Sequence, residues 1–364
     1  MTQNDTLSTT AAPPARRLFA FNGGSFWHKN TRQILRAADM APRLGWPGAN
    51  DAILAWGHRP TAKRAAWVAQ KTNAAIWRIE DAFFRSVKTG REGAAPLGLM
   101  VDRTGCHYDS HAPSDLETLL ATHPLDDPGL LARARAAQDM IAREKLSKYN
   151  ATVLDGPRPQ PGFVLLVDQT RGDASIPLAK ASAQTFDLML KTAQADHPGV
   201  PILVKTHPET NAGLRPGHFQ DSAAVTFWDH STPVQDLFAA ASAVYVVSSQ
   251  MGFEAILAGH RPVVFGQPFY AGWGLTDDRA PVARRTRTLT KDQLFAAACL
   301  IYPIWFDPHK GVVCDFETAL SQLAADTKAW RDDHRGWDGY GMRLWKRAAL
   351  TRAFGRENGL RFDP

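Results

Sequence analysis

Apolar and polar positions alternate along the chain in two repeating patterns. Short apolar runs with few polar residues are typical of buried strands, and they occur at 51–57, 74–81, 97–102, 163–169, 201–208, 243–249 and 262–266. Amphipathic patterns with helical spacing occur at 128–150, 183–197, 232–242 and 250–259. Strand–helix–strand repetition predicts parallel sheets with right-handed crossovers.

A break rich in proline and glycine, LDGPRPQPG at 154–162, separates the pattern into two halves. We therefore predict an α/β fold with two Rossmann-like domains, at 18–155 and 156–330, that face a central cleft. A disordered leader at 1–17 and a helical tail at 331–364 complete the predicted organisation. Ligands in such folds bind at the carboxyl ends of the strands, so polar residues at those ends are the candidate site.

Composition and charge narrow the functional class. The chain has 364 residues and a net charge of +6. It contains no apolar run of about 18 residues, the length that a membrane-spanning helix requires. The N-terminus lacks the apolar core of a secretory signal, and the three cysteines are isolated, which favours a reducing cytoplasm. No zinc finger, RNP motif or long basic run indicates binding of nucleic acid.

Two strand ends in the second half carry candidate anion-binding residues. Ser248, Ser249 and Gln250 follow a strand and open a helix, where free N–H groups and hydroxyls can hold a phosphate. A simple helix cap is the alternative interpretation. Glu254 lies one turn further on and is predicted to accept hydrogen bonds from ribose hydroxyls. The other strand end has the sequence Lys205, Thr206, His207, Pro208, which also favours a phosphate.

Candidate acid–base groups follow strands in both halves. Glu80 and Asp81 are adjacent, and a pair of carboxylates in a cleft can have one pKa raised toward neutrality. A solvated turn with Arg78 and Arg85 as counter-ions is the alternative. In the second half, Gly172 permits a tight turn that would point Asp173 into the cleft, although an aspartate in such a turn is more often structural.

An irregular segment at 269–276 joins aromatic residues with glycines. We predict that Tyr270, Gly272 and Trp273 form a wall of the sugar or acceptor cleft, together with Gly57 and Arg85. The alternative is a buried aromatic plug between the domains. Further polar candidates at strand ends are Asp102, His107, Tyr108 and Asp109.

These motifs together resemble one family, the capsule-polysaccharide β-Kdo glycosyltransferases of the KpsC type. The resemblance spans about 56–279 and lies in the blocks WGHRP, IEDAFFRSVKTG, PLGLMVDRTGCHYDSHAPSDLETLL, VDQTRGDASI, VKTHPE and GFEAILAGHRPVVFGQPFYAGWGLTDD. It implies a GT-B-like fold, CMP-Kdo as the donor substrate, and no other cofactor or metal. It also implies a retaining transfer of Kdo to a Kdo-lipid acceptor linked to phosphatidylglycerol.

The resemblance also implies roles for individual residues. Asp173 would be the nucleophile and Glu80, with Asp81, the base that activates the acceptor. The donor phosphate would be held by Lys205, His207, Pro208, Ser248 and Ser249. Ala82 departs from the family's usual glycine after the two acids, and Arg171 and Gly172 replace acids that usually precede the loop aspartate.

The family context implies a cytoplasmic protein at the inner-membrane surface that works with capsule assembly and export proteins. We predict that the basic segment 340–364 is a membrane-facing or domain-clasping helix; the alternative is a vestige of a second transferase module. A non-catalytic glycolipid-binding export factor and a nucleotide-sugar epimerase are the alternative functions.

Overall fold

The computed structural model describes residues 17–21, 29–220, 225–228 and 231–335. Almost all of the predicted leader and the whole segment 340–364 lie outside these residues. The strands, in chain order, are β1 Leu18–Ala20, β2 Ala52–Trp56, β3 Ala75–Asp81, β4 Gly98–Asp102, β5 Phe163–Val167, β6 Ile202–Lys205, β7 Thr226–Trp228, β8 Ala241–Val246, β9 Val263–Val264, β10 Asp277–Asp278, β11 Pro303–Asp307 and β12 Val312–Cys314.

The helices account for the amphipathic patterns and add several that the sequence did not predict. They are α1 Lys29–Ala37, α2 Ala62–Thr72, α3 Asp115–Thr122, α4 Pro128–Glu144, α5 Ser175–Leu178, α6 Ala183–Asp196, α7 Pro208–Asn211, α8 Val234–Ala240, α9 Met251–Leu257, α10 Lys291–Phe295 and α11 Phe316–Asp333. α4 was predicted to reach residue 150, but it ends at Glu144 because Lys145 takes a left-handed conformation with φ of 50°. Within the described residues, no helix is both long and apolar enough to cross a bilayer.

The described strands form two sheets. The first has the order β1-β2-β3-β4-β11-β12, and β1, β2 and β3 run parallel while β4 and β11 are antiparallel to their neighbours. The second has the order β10-β9-β8-β5-β6-β7 and is parallel throughout. The side chains of β5 are all buried, as expected for a strand covered on both faces. The predicted α/β fold with two Rossmann-like, parallel-rich halves is therefore confirmed.

The structure differs from the predicted domain division at the C-terminal side. We predicted that residues 156–330 form the second domain, but β11 and β12 join the first sheet, where β11 pairs with β4. The chain returns because Trp305 and Phe306 are apolar and bury their side chains against first-domain elements. The second domain therefore ends before Pro303.

One apolar cluster connects the two sheets. It includes Phe84 and Leu120 from the first half, Leu165 and Val246 from the second sheet, and residues of the π-helical turn Ala296–Ile301. Burying this surface is the main force that holds the halves together, because apolar burial contributes about 25 cal/mol for each Å² removed from water. The two sheets thus pack around a shared core.

A buried ion cluster reinforces the contact between the halves. Glu117 on α3 accepts hydrogen bonds from Arg285, with Oε2 2.8 Å from Nη2, and also pairs with Arg284. The Glu117 and Arg285 side chains are 7% and 2% exposed, respectively. Arg285 also donates to the carbonyl oxygens of Pro268 and Ala271, so its guanidinium holds the aromatic segment in place.

We expect Glu117→Gln to lower the free energy of unfolding by about 3–5 kcal/mol, because it leaves the buried Arg285 without its counter-charge. The measurement is the urea midpoint of the purified protein. Glu317→Gln is the matched control, since Glu317 pairs with Arg133 at the surface with both side chains partly exposed. A surface pair contributes at most about 1 kcal/mol. Equal shifts in the two variants would contradict a stabilising role for the buried cluster.

Candidate active site

The candidate groups lie at or after the carboxyl ends of strands in both sheets. Glu80 and Asp81 end β3 and Gly57 follows β2 in the first sheet. In the second sheet, Asp173 follows β5, His207 follows β6 and Ser248 follows β8. Because strands within each parallel set end at the same edge, the candidate groups of each half are brought close together.

Glu80 is held by two donors from neighbouring loops and strands. Trp56 donates from Nε1 to Oε2 at 3.1 Å, and the Tyr108 hydroxyl donates to Oε1 at 3.0 Å. Glu80 as a residue is half-buried, and the surrounding protein displaces most of the water around its carboxyl group. This desolvation raises the pKa of Glu80 to about 7, against the opposing charge of Arg59. Glu80 is therefore poised to exchange a proton near neutral pH.

Gly57 makes the approach of Glu80 possible. Its φ is 40°, and a Cβ at this position would lie 2.0 Å from Oε1 of Glu80 and 2.1 Å from the hydroxyl of Tyr108. A side chain here would thus displace both groups. The predicted cleft residue Gly57 lies at the site, and its contribution is space for the carboxylate.

Asp81 and Arg85 form a buried pair behind Glu80. Arg85 Nε donates to Asp81 Oδ2 at 2.7 Å, and Arg85 Nη1 donates to Ser86 Oγ and the carbonyl oxygen of Ala94. We predicted Arg85 as a cleft residue, but its guanidinium is buried and bound to these groups, so that prediction is wrong. The other oxygen of Asp81 is buried without a hydrogen-bond partner.

Asp173 lies in a tight turn after β5, as predicted. Gly172 has φ of 75°, which supplies the left-handed conformation that the turn needs. Oδ1 of Asp173 accepts from the backbone N–H of Ser175 at 2.9 Å and so fixes the carboxylate at the start of α5. The charge of Asp173 also acts on His207, which indicates that the two side chains are neighbours.

His207 uses one ring nitrogen to cap the short helix that follows it. Nδ1 accepts from the backbone N–H of Glu209 at 3.1 Å, and Pro208 begins α7. Burial lowers the pKa of His207, so the ring is neutral near pH 7 and its proton resides on Nε2. Lys205, two residues earlier, ends β6 and is partly buried. This strand end therefore carries a neutral imidazole and an ammonium group.

The serine pair is built into a hydrogen-bonded network with the β5 loop. The backbone N–H of Ser248 donates to Gln169 Oε1 at 3.0 Å, and Gln169 Nε2 donates to Ser248 Oγ at 3.1 Å. Ser248 Oγ also lies 3.3 Å from Ser175 Oγ. Ser249 Oγ accepts from the N–H of Met251, which is the helix-cap role that we considered as the alternative.

Gln250 and Glu254 join the two domains. Gln250 Nε2 donates to the carbonyl oxygen of Phe83 at 2.7 Å. Glu254 is buried and accepts from Ser147 Oγ at 2.6 Å, from the Lys148 backbone N–H and from Gln250. Burial raises the pKa of Glu254 to about 7. The prediction that Glu254 binds ribose is therefore wrong for this structure, because both of its oxygens are occupied by protein donors.

Lys148 is a site residue that the sequence did not reveal. It lies in the segment after α4, and its charge acts on Glu80, Glu254 and His207. The cation therefore lies between groups of both halves. Its context, LSKYN, resembles any polar end of a helix and contains no motif. The hydrogen bond from the Lys148 backbone N–H to Glu254 joins residues that are far apart in sequence, so only the tertiary structure reveals it.

The aromatic segment is a plug between the halves and does not form an open wall. Tyr270 and Trp273 are fully buried, and the Tyr270 hydroxyl donates to the carbonyl oxygen of Ser249 at 2.5 Å. Phe269 stacks on Phe83 with centroids 4.5 Å apart. Gly272 has φ of 86° and lies against the Arg285 side chain. The predicted sugar contacts of Tyr270 and Trp273 are wrong, because fully buried side chains cannot reach a ligand. Gly272 is half-buried, and its predicted contact stays a prediction.

The remaining polar candidates divide by role. Asp102 accepts from the backbone N–H groups of Thr104 and Gly105 and from the Tyr302 hydroxyl, so it organises the loop after β4. His107 packs edge-on to Phe83, and burial lowers its pKa to about 3. Asp109 lies 3.1 Å from the His58 ring. Tyr108 contacts Glu80 directly.

Neither departure from the family pattern disturbs the site. Ala82 is fully buried and is not among the described residues with positive φ, so its methyl group is accommodated without backbone strain. The Arg171 side chain is held by another loop, because its Nε donates to the carbonyl oxygen of Gly217 at 2.9 Å. Asp173 therefore keeps its place beside His207.

Comparisons with known proteins agree with this arrangement. The family model described as capsule polysaccharide biosynthesis protein matches residues 51–155 and 153–302. A solved structure titled Thermosulfurimonas dismutans KpsC, beta Kdo 2,4 transferase, superposes with a TM-score of 0.79 at 35% identity, covering 85% of this chain and 98% of that one. The beta Kdo 2,7 transferase of the same protein gives a TM-score of 0.65 at 25% identity, covering 85% of this chain and 99% of that one.

Several relatives are similar in sequence. The capsule polysaccharide modification protein LipA of Neisseria meningitidis serogroup B is 38% identical over 322 residues, which are 84% of this chain and 45% of LipA. The lipopolysaccharide-processing protein LpsZ of Rhizobium meliloti is 36% identical over 284 residues, or 76% of this chain and 64% of LpsZ. The chain thus spans about half to two-thirds of these relatives' lengths. The family model matches more than half of this chain, and the chain therefore belongs to the capsule polysaccharide biosynthesis protein family.

Proposed function

We propose that this chain is a retaining glycosyltransferase that transfers Kdo from CMP-Kdo to a Kdo-terminated, phosphatidylglycerol-linked acceptor in capsule synthesis. The observation that carries the proposal is a carboxylate of different character at a strand end of each sheet. Glu80 has a pKa raised to about 7 by burial, and Asp173 is held at a helix start beside the neutral His207. The likeness to the Kdo transferase structure, over almost all of that chain, supports the same assignment.

The first step forms a covalent bond between Asp173 and the sugar. Oδ1 of Asp173 is engaged by the Ser175 N–H, so Oδ2 is the oxygen that attacks the anomeric carbon as its bond to the CMP phosphate breaks. The departing phosphate gains negative charge. Lys205, the Nε2–H of His207 and the Ser248 hydroxyl are the donors that would stabilise it.

The second step transfers the sugar to the acceptor. Glu80 removes the proton of the acceptor hydroxyl, and the resulting oxygen displaces Asp173 from the anomeric carbon. Two inversions at the same carbon give overall retention. Lys148 lies near both Glu80 and His207 and would offset the negative charge of the donor and the carboxylates. The lipid-linked acceptor places the reaction at the cytoplasmic face of the inner membrane, beside the capsule assembly and export proteins.

Substitution of the nucleophile should abolish transfer without unfolding the loop. Asp173→Asn keeps a carbonyl oxygen that can accept from the Ser175 N–H, and it removes the attacking carboxylate. We expect transfer of Kdo from CMP-Kdo to fall about 10³-fold or more, the scale of losses at catalytic nucleophiles, while CMP still binds. Asp187→Asn, at an exposed position on α6, is the control and should be fully active. Retaining transfer by Asp173→Asn near the normal rate would contradict double displacement.

The pH dependence of transfer should report the pKa of Glu80. Only the ionised carboxylate can act as a base, so kcat should rise with pH through about 7 and then level off. Glu80→Gln should lower kcat by about 10²–10⁴-fold and remove this rise. Asp139→Asn, exposed on α4, should keep the normal profile. The range from about pH 5 to about pH 8 includes the expected pKa of Glu80. A kcat that does not change over this range would contradict the role of Glu80 as base.

The donor pocket can be tested by binding of CMP alone. His207→Asn keeps a side-chain oxygen that caps α7 but removes the ring N–H. We expect the affinity for CMP, measured by calorimetry, to weaken by roughly 1–3 kcal/mol, with a similar loss for Ser248→Ala. Ser182→Ala is the control, since Ser182 is an exposed cap of α6. Normal CMP affinity in both pocket variants would move the donor phosphate elsewhere.

A further inference from the structure

An exposed aromatic group lies on the first domain and includes none of the residues that the reaction uses. Leu44, Trp46 and Trp67 are 71%, 58% and 54% exposed. The rings of Trp46 and Trp67 meet edge to face with centroids 6.1 Å apart, and Trp46 meets Phe21 at 6.3 Å. Large apolar side chains that are exposed together usually mark a site of interaction.

Cationic side chains surround this group on α2. Trp67 follows Lys63 by four residues and Arg64 by three, and it precedes Lys71 by four. At this spacing all three cations share the side of the helix that carries Trp67. All three are exposed, and α2 contains no acidic residue. The opposite side carries the buried residues Ala62, Ala65 and Val68, which pack on the first sheet. Exposed Arg43 lies next to Leu44 and extends the positive charge.

We propose that this surface, formed by Arg43, Leu44, Trp46, Lys63, Arg64, Trp67 and Lys71 and here termed the α2 face, binds an anionic lipid bilayer. Indole rings are amphipathic and prefer the level of the lipid headgroups. Lysine and arginine beside such rings are attracted to the negative surface of the membrane. The combination of a small apolar centre and a cationic margin fits that surface in both shape and charge.

Charge also argues against a second copy of this chain as the occupant. A symmetric dimer would place the same face on both partners, and Lys63, Arg64 and Lys71 would then oppose identical cations. Such like-charge contacts disfavour association. An anionic bilayer carries the opposite charge and attracts these cations.

The helix that carries the α2 face begins next to a residue that acts on Glu80. Arg59 lies just before α2; its guanidinium lies 5.2 Å from the centre of the Trp56 ring, and its charge acts on Glu80. Trp67 is about 8 Å further along the helix axis than Ala62, at 1.5 Å for each residue. A protein resting on the α2 face would therefore hold Glu80 near the bilayer. The functional value of holding Glu80 near the bilayer rests on the proposed lipid-linked acceptor. Binding of the α2 face to the bilayer can be tested without that acceptor.

The experiment measures sedimentation of the full chain with lipid vesicles, in the absence of any sugar donor. Vesicles of phosphatidylcholine alone are compared with vesicles that also contain phosphatidylglycerol. We expect binding to the anionic vesicles, weakened by salt. Lys63→Gln with Lys71→Gln should lower the partition coefficient about thirtyfold, since each lysine near an anionic surface contributes a factor of about five. Trp46→Ser with Trp67→Ser should lower it at least about tenfold, because each indole edge that leaves the bilayer loses apolar burial.

Matched controls come from α6 in the second domain. Leu188 is 55% exposed there and Lys191 is also exposed, so Leu188→Ser with Lys191→Gln changes the same kinds of residue on another face. This variant should bind vesicles normally. All variants should transfer Kdo normally to a soluble, lipid-free acceptor, which separates loss of docking from loss of catalysis.

Three results would overturn the inference. The first is vesicle binding that is unchanged in both α2-face variants. The second is equal binding to neutral and anionic vesicles. The third is self-association of the normal chain without lipid that Trp46→Ser with Trp67→Ser abolishes, because the face would then be a contact between copies. Absence of Kdo transfer together with normal vesicle binding would refute the proposed function and leave the inference intact.

Discussion

The shared apolar core between the two sheets is the constraint on which the site depends. Glu80 belongs to the first sheet, while Asp173, His207 and Ser248 belong to the second. Their separation is fixed only because one continuous cluster packs against both sheets and Arg285 is buried against Glu117 between them. The aromatic plug of Phe269, Tyr270 and Trp273 lies in that same core. The separation of the reacting groups thus depends on buried residues that do not react themselves.

Burial also gives two glutamates of the cleft different roles. Glu80 and Glu254 both have a pKa raised to about 7, chiefly because they are desolvated. Glu80 is only half-buried as a residue, whereas Glu254 is buried and holds Ser147 and Lys148 in place. A raised pKa alone therefore does not identify a catalytic group, and access to the cleft decides between the two.

The first domain combines a reacting carboxylate with a cationic, aromatic surface along one helix. α2 begins beside the residues that contact Glu80 and carries Trp67 on its outer side. Its inner side is made of small residues, which lets it lie close to the sheet. This arrangement connects the chemistry of the cleft to the proposed bilayer surface through one rigid element.

The sequence by itself determined the α/β class, the positions of most buried strands and the strand ends at which Glu80, Asp173, His207 and Ser248 lie. These features depend on local periodicity and on residues adjacent in the chain, which a single sequence contains. The tertiary structure decided what depends on distant partners. It returned β11 to the first sheet, buried Tyr270, Trp273 and Arg85, and enclosed Glu254. It also brought Lys148 between the halves, because burial and charge contacts depend on residues far apart in sequence.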